Sequence, residues 1–424
     1  MRILVLGSGA REHAVILALR AEDAGHELFA APGNAGMAAD ATLVAINPLD
    51  AAAVTSFANG EHIDLVVIGP EAPLVAGIAD ELRERGIPVF GPGRAAAQLE
   101  GSKAFAKRIM ETAGVPTGRA VHARTRAEVE AAFDELGTPH VVKADGLAAG
   151  KGVIVTADRA AALAHAEAYL PSGPVLVEEF LDGPEVSLFF LSDGDTVRPL
   201  APAQDYKRLL DGDEGPNTGG MGAYSPLPWL TERFGGDQAF TEEVTRTIAE
   251  PVIRQLDAEG TPFIGLLYAG LVLTSDGVKV VEFNARFGDP ETQVVLPRLV
   301  DPLSELLLAA ASGHLEDHPA PAFAEAVAVT VVVASEGYPA APVTGRVITG
   351  LDAAAAVPGV HLAHGATAEG TDGGLVSAGG RVVSVVALGS TFAEASARAY
   401  EAVGRIGLDG AQHRTDIAAH VRES

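Results

Sequence analysis

Short apolar runs alternate with longer mixed segments through the first part of the chain. The runs at 2–6, 28–30, Leu65–Ile68 and 88–90 each break into a loop of glycine, proline or asparagine. These loops are Gly7-Ser8-Gly9, Pro32-Gly33-Asn34-Ala35-Gly36, Gly69-Pro70-Glu71-Ala72-Pro73 and Gly91-Pro92-Gly93. Strands of this length separated by helix-length segments, the first at 14–20, predict a doubly wound parallel sheet. Such a sheet binds ligands in the crevice at the carboxyl ends of its strands. Plain turn chemistry is the competing account of each loop.

After Phe90 the pattern changes. A helix is expected over 95–113, carrying Lys103, and an acidic, alanine-rich helix over Arg126–Leu136. Residues 141–155 read VVKADGLAAGKGVIV, two β-branched runs around a loop holding Gly146, Gly150 and Gly152. The second run is short and β-branched, which predicts strand, turn, strand rather than strand, turn, helix. A helix over 158–169 precedes a strand over 175–181 that carries Glu178 and Glu179, with Glu185 soon after. Neighbours on a strand face opposite ways, so one of these carboxylates can pair with a lysine while the other meets solvent or a ligand. A polar glycine-rich loop at 215–224 follows, then a helix over 241–259 stopped by Gly260, then strands at 263–273 and 278–283 around Ser275-Asp276-Gly277. The last part shows short strands at 327–334, 345–348, 374–377 and 381–388 and a helix over 391–406. The expected class is α/β, with a doubly wound N-terminal domain over 1–100 and a central region over 101–323. A small α+β domain over 324–424 closes the chain.

Composition removes several function classes. The chain has 424 residues, 48% hydrophobic and 20% charged, and a formal net charge of −26. That charge excludes a sequence-independent grip on nucleic acid or an anionic membrane, while a local basic cluster can still hold a small anion. With no cysteine, disulfides, thiolate nucleophiles and cysteine-based metal sites are excluded. No apolar run reaches the roughly 18 residues of a membrane span. The opening MRILVLGSG runs straight into a strand without a signal-peptide core, so a cytoplasmic location is expected.

Three groups of residues then suggest chemistry. Glycines at 146, 150 and 152 let backbone N–H groups approach an anion, and Lys143 and Lys151 neutralise it. A surface hairpin with solvated lysines would look the same in isolation. Lys143 lies in an apolar run, where a charge is costly unless an anion meets it. In 281–286, VEFNAR, alternation puts Glu282, Asn284 and Arg286 on one face. A carboxylate and an amide carbonyl suit Mg²⁺, which completes its shell with water and phosphate, and an arginine suits phosphate or carboxylate. An exposed polar strand face is the alternative. Taken together the two groups fit a Mg-nucleotide. At the N-terminus, Gly7-Ser8-Gly9-Ala10-Arg11-Glu12 starts like a dinucleotide fingerprint, but Glu12 stands where that fingerprint needs glycine. A phosphate or phosphosugar site is at least as good a reading of that turn.

These stretches carry a resemblance that runs essentially end to end. GSGAREH at 7–13, PGNAG at 32–36, GPEAPL at 69–74 and QLEGSKAF at 98–105 occur in the order found in the phosphoribosylamine–glycine ligase family of the ATP-grasp superfamily. So do KADGLAAGKGV at 143–153, EEFLDG at 178–183, GPNTGGMGAYSP at 215–226 and EFNARFGDPETQ at 282–293. Ala10 and Ala285 depart from the family's common glycine and cysteine without removing a functional group. The resemblance implies a central ATP-grasp fold of two α+β subdomains over 101–323, one of which, about 117–188, carries the glycine loop. It also implies an ATP-dependent joining of glycine to 5-phosphoribosylamine through glycyl phosphate, a step of purine biosynthesis. It further implies ATP and Mg²⁺ or Mn²⁺, small-molecule substrates, and a monomer or small homo-oligomer. ATP would be held by Lys103, Lys143, Gly146, Gly150, Lys151, Gly152, Glu178, Glu179, Phe180, Leu181 and Glu185, and the metal by Glu282 and Asn284. Arg286 and Lys143 would act on the transferred phosphoryl group. Gly9, Arg11, Asn34, Gly36 and Glu71 would face phosphoribosylamine, and Asp205, Lys207 and Arg286 would face glycine. Another ATP-grasp ligase would lack the N-terminal and GPNTGG stretches. An NAD(P)-dependent dehydrogenase would need glycine at position 12, and a nucleotide sensor without activity would not need Glu282, Asn284 and Lys143 intact.

Overall fold

The computed structural model describes residues 1–146 and 152–422. Arg2–Gly7 lies at the centre of a five-stranded parallel sheet, with Glu27–Pro32 and Thr42–Leu43 on one side and Leu65–Ile68 and Val89–Phe90 on the other. This order places the switch in winding direction beside the first strand, where an α/β sheet opens its crevice. Gly7 and Gly69 border that crevice, and the carboxylate of Glu12 fills the space a side chain would need at either position. The two-residue edge strand Thr42–Leu43 is too short to carry a hydrophobic period and was not visible in the pattern.

The glycine loop joins the antiparallel strands His140–Ala144 and Val153–Thr156, with Lys143 opposite Val153. Val175–Glu178 and Ala120–Ala123 complete this four-stranded sheet. Its small core packs Val142 and Val177 against Phe133, Ala162 and Ala166 of the helices Arg126–Leu136 and Arg159–Tyr169. Those helices start where they do because Thr125 with Glu128 and Asp158 cap their first turns. A second antiparallel sheet runs Val197–Pro199, Glu185–Asp193, Ile264–Thr274, Gly277–Asn284.

The third sheet orders Gln204–Asp205, Gly222–Ser225, Val327–Ala334, Arg381–Gly389 and Val360–His364. Its first two strands come from the middle of the chain, so the C-terminal segment is stitched into the central region through shared backbone hydrogen bonds.

Several expected elements differ in extent. The helix expected over 95–113 is two, Gln98–Gly101 and Lys103–Ala113. Ser102 between them is extended and caps the second, accepting from Phe105 N. The strand expected to reach 181 stops at Glu178, and irregular chain follows up to the strand that starts at Glu185. The helix expected over 241–259 begins at Asp237 and takes a π turn, Thr245–Ala249, just before Pro251, which has no N–H to continue the regular ladder. The strand expected at 345–348 is absent apart from one bridge between Val347 and Val376, and Val360–His364, which was not expected, is an edge strand of the third sheet. The glycine-rich stretch at 215–224 is bounded by two short strands, Glu214–Asn217 and Gly222–Ser225.

Candidate active site

The three parts meet around a cavity of about 1020 Å³. Among its lining residues are Lys103, Lys143, Gly146, Gly152 and Glu178 from the glycine-loop side, and Glu282, Asn284 and Arg286 from the facing hairpin strand and the turn after it. Arg11 and Glu71 line its N-terminal wall, and Asp205 and Lys207 its floor. Residues 282, 284 and 286, picked out by strand alternation, therefore face the same space as Lys143, about 140 positions earlier in the chain. Gly150 and Lys151 lie outside the described residues.

Lys143 does not wait for an external anion. Its Nζ is 2.9 Å from Oε2 of Glu178 and donates to the Val281 carbonyl at 3.2 Å. The expectation of an uncompensated lysine is corrected by the next strand: Val175–Glu178 pairs with His140–Ala144 and delivers its last carboxylate beside Lys143. Lys107, one helical turn after Lys103, approaches the same Glu178 oxygen at 3.5 Å. Lys103 donates through Nζ to the Gly146 carbonyl at 3.1 Å, and its backbone N–H is held by Asp145 at 2.8 Å. Burial lowers the pKa of both Lys103 and Lys107, against the opposing pull of Glu282 on the first and Glu178 on the second. Glu179 turns the other way, to Arg119 and Lys279. Phe180 is largely exposed, and Leu181 packs against Gly118. None of these three lines the cavity.

Arg286 is fixed from several directions. Glu100 accepts its guanidinium at 2.8 Å and, through the other carboxylate oxygen, the Ala285 N–H at 2.8 Å. Glu71 lies 3.6 Å away, Asn284 Oδ1 accepts at 3.4 Å and the Phe287 carbonyl at 3.1 Å. The carboxylates of Glu100 and Glu71 outweigh burial and hold Arg286 firmly protonated. Glu71 in turn sits below the usual carboxylate range: burial opposes this, but Arg286, its own helix N-terminus and Arg11 prevail.

The floor is rich in acids. Lys207 pairs with Glu185 and, at 3.3 Å, with Asp205. Glu291 is buried nearby and accepts from Ser187 at 3.0 Å and Tyr268 at 2.7 Å. Burial pushes the Asp205 carboxyl up to about 7; Lys207 pulls it down and the carboxylates of Glu291 and Glu185 add to the rise. Burial opposes the charge of Lys207, but Asp205 and Glu185 outweigh it and keep the lysine protonated.

The remaining N-terminal residues stand apart from the cavity. The Gly9 N–H is taken by Glu12 at 2.6 Å, and Glu12 also pairs with Arg11 at 2.6 Å. This internal carboxylate occupies the anion place of the strand–turn–helix. The Asn34 amide donates to the Ser8 and His364 carbonyls, both at 2.9 Å, and accepts from Thr367 at 3.0 Å. Gly36 lies so close to the His364 ring that any side chain would collide with it. Asn34 and Gly36 thus join the N-terminal sheet to the C-terminal segment. The C-terminal segment reaches the cavity as well: Arg381 pairs with Asp289 at 2.9 Å and donates to the Gly219 and Asp289 carbonyls.

Sequence reasoning missed Glu100, Lys107, Asp145, Glu291 and Arg381. Glu100 and Lys107 were legible in principle, since they stand three before and four after Lys103 in QLEGSKAFAK. Glu291 stood out only as one of several acids after the strand and Arg381 only as an arginine near glycines; neither could be given a role, because their partners come from remote strands.

No group of three or more histidines, aspartates or glutamates placed to hold a metal occurs among the described residues. Glu282 and Asn284 still suit a hard cation. Both are oxygen donors on one strand facing the cavity, and Glu282 lies near enough to Lys103 to stabilise its charge. Two protein oxygens are what Mg²⁺ commonly takes when phosphates supply the rest.

Comparison with known proteins covers the whole chain. Family profiles described as phosphoribosylglycinamide synthetase match in three parts: the N domain at residues 1–100, the ATP-grasp (A) domain at 101–292 and the C domain at 328–420. A phosphoribosylamine–glycine ligase of Leifsonia xyli is 69% identical over 99% of this chain and all of its own length. That of Streptomyces coelicolor is 59% identical, with 99% of each chain covered. The crystal structure of a phosphoribosylamine–glycine ligase from Thermotoga maritima superposes with a TM-score of 0.81 at 33% identity, over 98% of this chain and 100% of that one. A biotin carboxylase domain from Hydrogenobacter thermophilus, at 18% identity and a TM-score of 0.70 over 97% of this chain and 91% of that one, shares the fold.

Proposed function

The chain belongs to the phosphoribosylglycinamide synthetase (phosphoribosylamine–glycine ligase) family, and from that premise we propose how its cavity performs the family's reaction. The protein is an ATP-dependent C–N ligase that forms glycinamide ribonucleotide from glycine and 5-phosphoribosylamine, a step of purine biosynthesis. The observation that carries the site assignment is the convergence of Lys103, Lys143, Glu282, Asn284 and Arg286 on one cavity.

In the proposed course, a carboxylate oxygen of glycine attacks the γ-phosphorus of ATP and the bond to ADP breaks. The amine of phosphoribosylamine then attacks the carbonyl carbon of glycyl phosphate. The C–O bond to phosphate breaks, and the amine's proton leaves with phosphate or to water. No side chain forms a covalent bond, so positioning and charge neutralisation carry the catalysis. Lys103 and Lys143 neutralise the nucleotide phosphates. The N–H groups at Gly146 and Gly152 border them, and Gly150 and Lys151 belong to the same loop by sequence. Glu178 lies at the inner end of the nucleotide site, with Glu179, Phe180 and Leu181 following it and Glu185 reached through Lys207. Glu282 and Asn284 would hold Mg²⁺ or Mn²⁺, which supplies charge neutralisation of the phosphates when bound. Arg286, held by Glu100 and Glu71, steadies the transferred phosphoryl group. Asp205 accepts the ammonium of glycine and Lys207 orders the floor. Arg11 and Glu71 face phosphoribosylamine, while Gly9, Asn34 and Gly36 shape the wall behind them. The acidic surface and small-molecule chemistry suit a cytoplasmic enzyme working as a monomer or small homo-oligomer without nucleic acid. No helix among the described residues is long and apolar enough to cross a membrane.

The test is ADP release by purified protein. Sustained release over many turnovers is expected only with glycine, phosphoribosylamine and a divalent metal together, and Glu282→Gln should lower it by orders of magnitude with the melting temperature kept. Near-normal turnover of that variant would remove Glu282 from the metal site.

A further inference from the structure

Lys107 has no part in the scheme above, yet it is one of three buried ionisable side chains that meet at a single oxygen. Glu178 Oε2 lies 2.9 Å from Lys143 Nζ and 3.5 Å from Lys107 Nζ. The three side chains are 6%, 6% and 11% exposed for Glu178, Lys143 and Lys107. The two lysines differ in how they are held. Lys107 donates to Thr117 Oγ1 and to the Gly118 carbonyl, both at 2.9 Å, which pins it to the turn after its own helix. Among the described residues Lys143 has the Val281 carbonyl besides Glu178, at the longer distance of 3.2 Å.

Without nucleotide, then, Lys143 is the nearer counter-ion of Glu178. With nucleotide, the site assignment turns the same ammonium toward phosphate. A carboxylate left buried without a partner is strongly destabilised. We propose that Lys107 is a positioning residue: the fixed counter-charge that keeps Glu178 compensated and so frees Lys143 to move onto the triphosphate. The inference rests on the nucleotide assignment above. It makes the affinity for ATP depend on a lysine that stays with Glu178. Removing the charge at position 107 ties Lys143 to Glu178, so Kd and KM for ATP rise while kcat at saturating ATP changes much less.

A double-mutant cycle on the full-length protein tests this by calorimetric titration with MgATP. Lys107→Gln keeps a donor for Thr117 and Gly118 but removes the charge; Lys107→Met removes both. In the Glu178 background either change is expected to weaken ATP about tenfold or more, the size typical of a buried charged group that loses its partner. In a Glu178→Gln background, where there is no charge to compensate, the same changes should matter less than about threefold. Lys107→Arg should restore most of the affinity. Equal weakening in both backgrounds would make Lys107 a prop for the 117–118 turn or, since it too lines the cavity, a direct nucleotide contact, and either overturns the proposal. Unchanged affinity in Lys107→Gln would overturn it too. If the wild-type protein itself failed to bind MgATP, the nucleotide assignment would fall first, a result distinct from either of these.

Discussion

Replacing Glu100 by glutamine removes a charge from the wall of the cavity while keeping the side chain's shape. In the wild type the two carboxylate oxygens do separate work. One accepts the Ala285 N–H at 2.8 Å and the other the Arg286 guanidinium at 2.8 Å. Glutamine has one acceptor oxygen, so one of these bonds is lost and an amide NH₂ is turned toward a donor. Loss of a hydrogen bond to a charged group costs roughly 1.5–3 kcal/mol. Glu71, 3.6 Å from Arg286, limits how far the guanidinium can drift. If that energy is lost in the transition state, kcat/KM for ADP release falls roughly 10- to 150-fold. The lysines that meet the nucleotide do not touch Glu100, so Kd for MgATP should stay within about threefold. Steady-state ADP release with varied glycine and phosphoribosylamine, together with ATP titration and thermal melting, separates these quantities. A kcat/KM within twofold of wild type would refute the idea that Glu100 orients Arg286 for the reaction. A parallel loss of ATP affinity would refute its restriction to the phosphoryl-transfer end.

Three further outcomes follow from the same geometry. Lys143→Met leaves Glu178 with Lys107 alone, so the nucleotide-free protein should lose about 1–3 kcal/mol and melt several degrees lower; an unchanged melting temperature would mean that the Lys143–Glu178 pair is not formed in solution. Asn34→Ala breaks two buried hydrogen bonds to the C-terminal segment, with His364 and Thr367, and one to Ser8 within the N-terminal part, and should destabilise by roughly 2–4 kcal/mol with a modest change in KM for phosphoribosylamine; a large KM effect without loss of stability would place Asn34 on the substrate. Asp205, raised to about 7 by burial, gains its charge as pH rises through that value. The KM for glycine should therefore fall between roughly pH 6 and pH 8, a trend that Asp205→Asn abolishes. Because the raised group binds its proton more tightly in the folded state, it withdraws stability over the interval from its ordinary 3.8 up to about 7. A glycine KM flat across that range would detach Asp205 from the ammonium.

Local pattern carried much of this architecture. The paired strands His140–Ala144 and Val153–Thr156 were readable from their β-branched runs, and Glu282, Asn284 and Arg286 because alternation assigns them one face. Helix ends were readable where a cap stood in the sequence, as at Thr125 and Asp158. What escaped was decided by partners far along the chain. Glu178 reads as one of two equivalent acids until strand pairing sets it beside Lys143 and leaves Glu179 to Arg119. Asn34 and Gly36 look like a ligand loop until His364 and Thr367, more than 300 residues away, take up their contacts. Arg381 lies in an ordinary strand pattern and enters the cavity only because the C-terminal strands share a sheet with Gly222–Ser225. The break at Ser102 had a local signal in Gly101-Ser102, a poor helix former followed by a capping hydroxyl, and that cap decided it.

The central claim is that the cavity activates glycine as an acyl phosphate before the amine attacks. Glycine labelled with heavy oxygen in its carboxylate tests it most directly, with mass analysis of the phosphate released during a single turnover. Transfer of one labelled oxygen from glycine to each phosphate is predicted, because the C–O bond broken in the second step leaves that oxygen on phosphorus. Phosphate free of label, formed at the same rate as glycinamide ribonucleotide, would contradict the account.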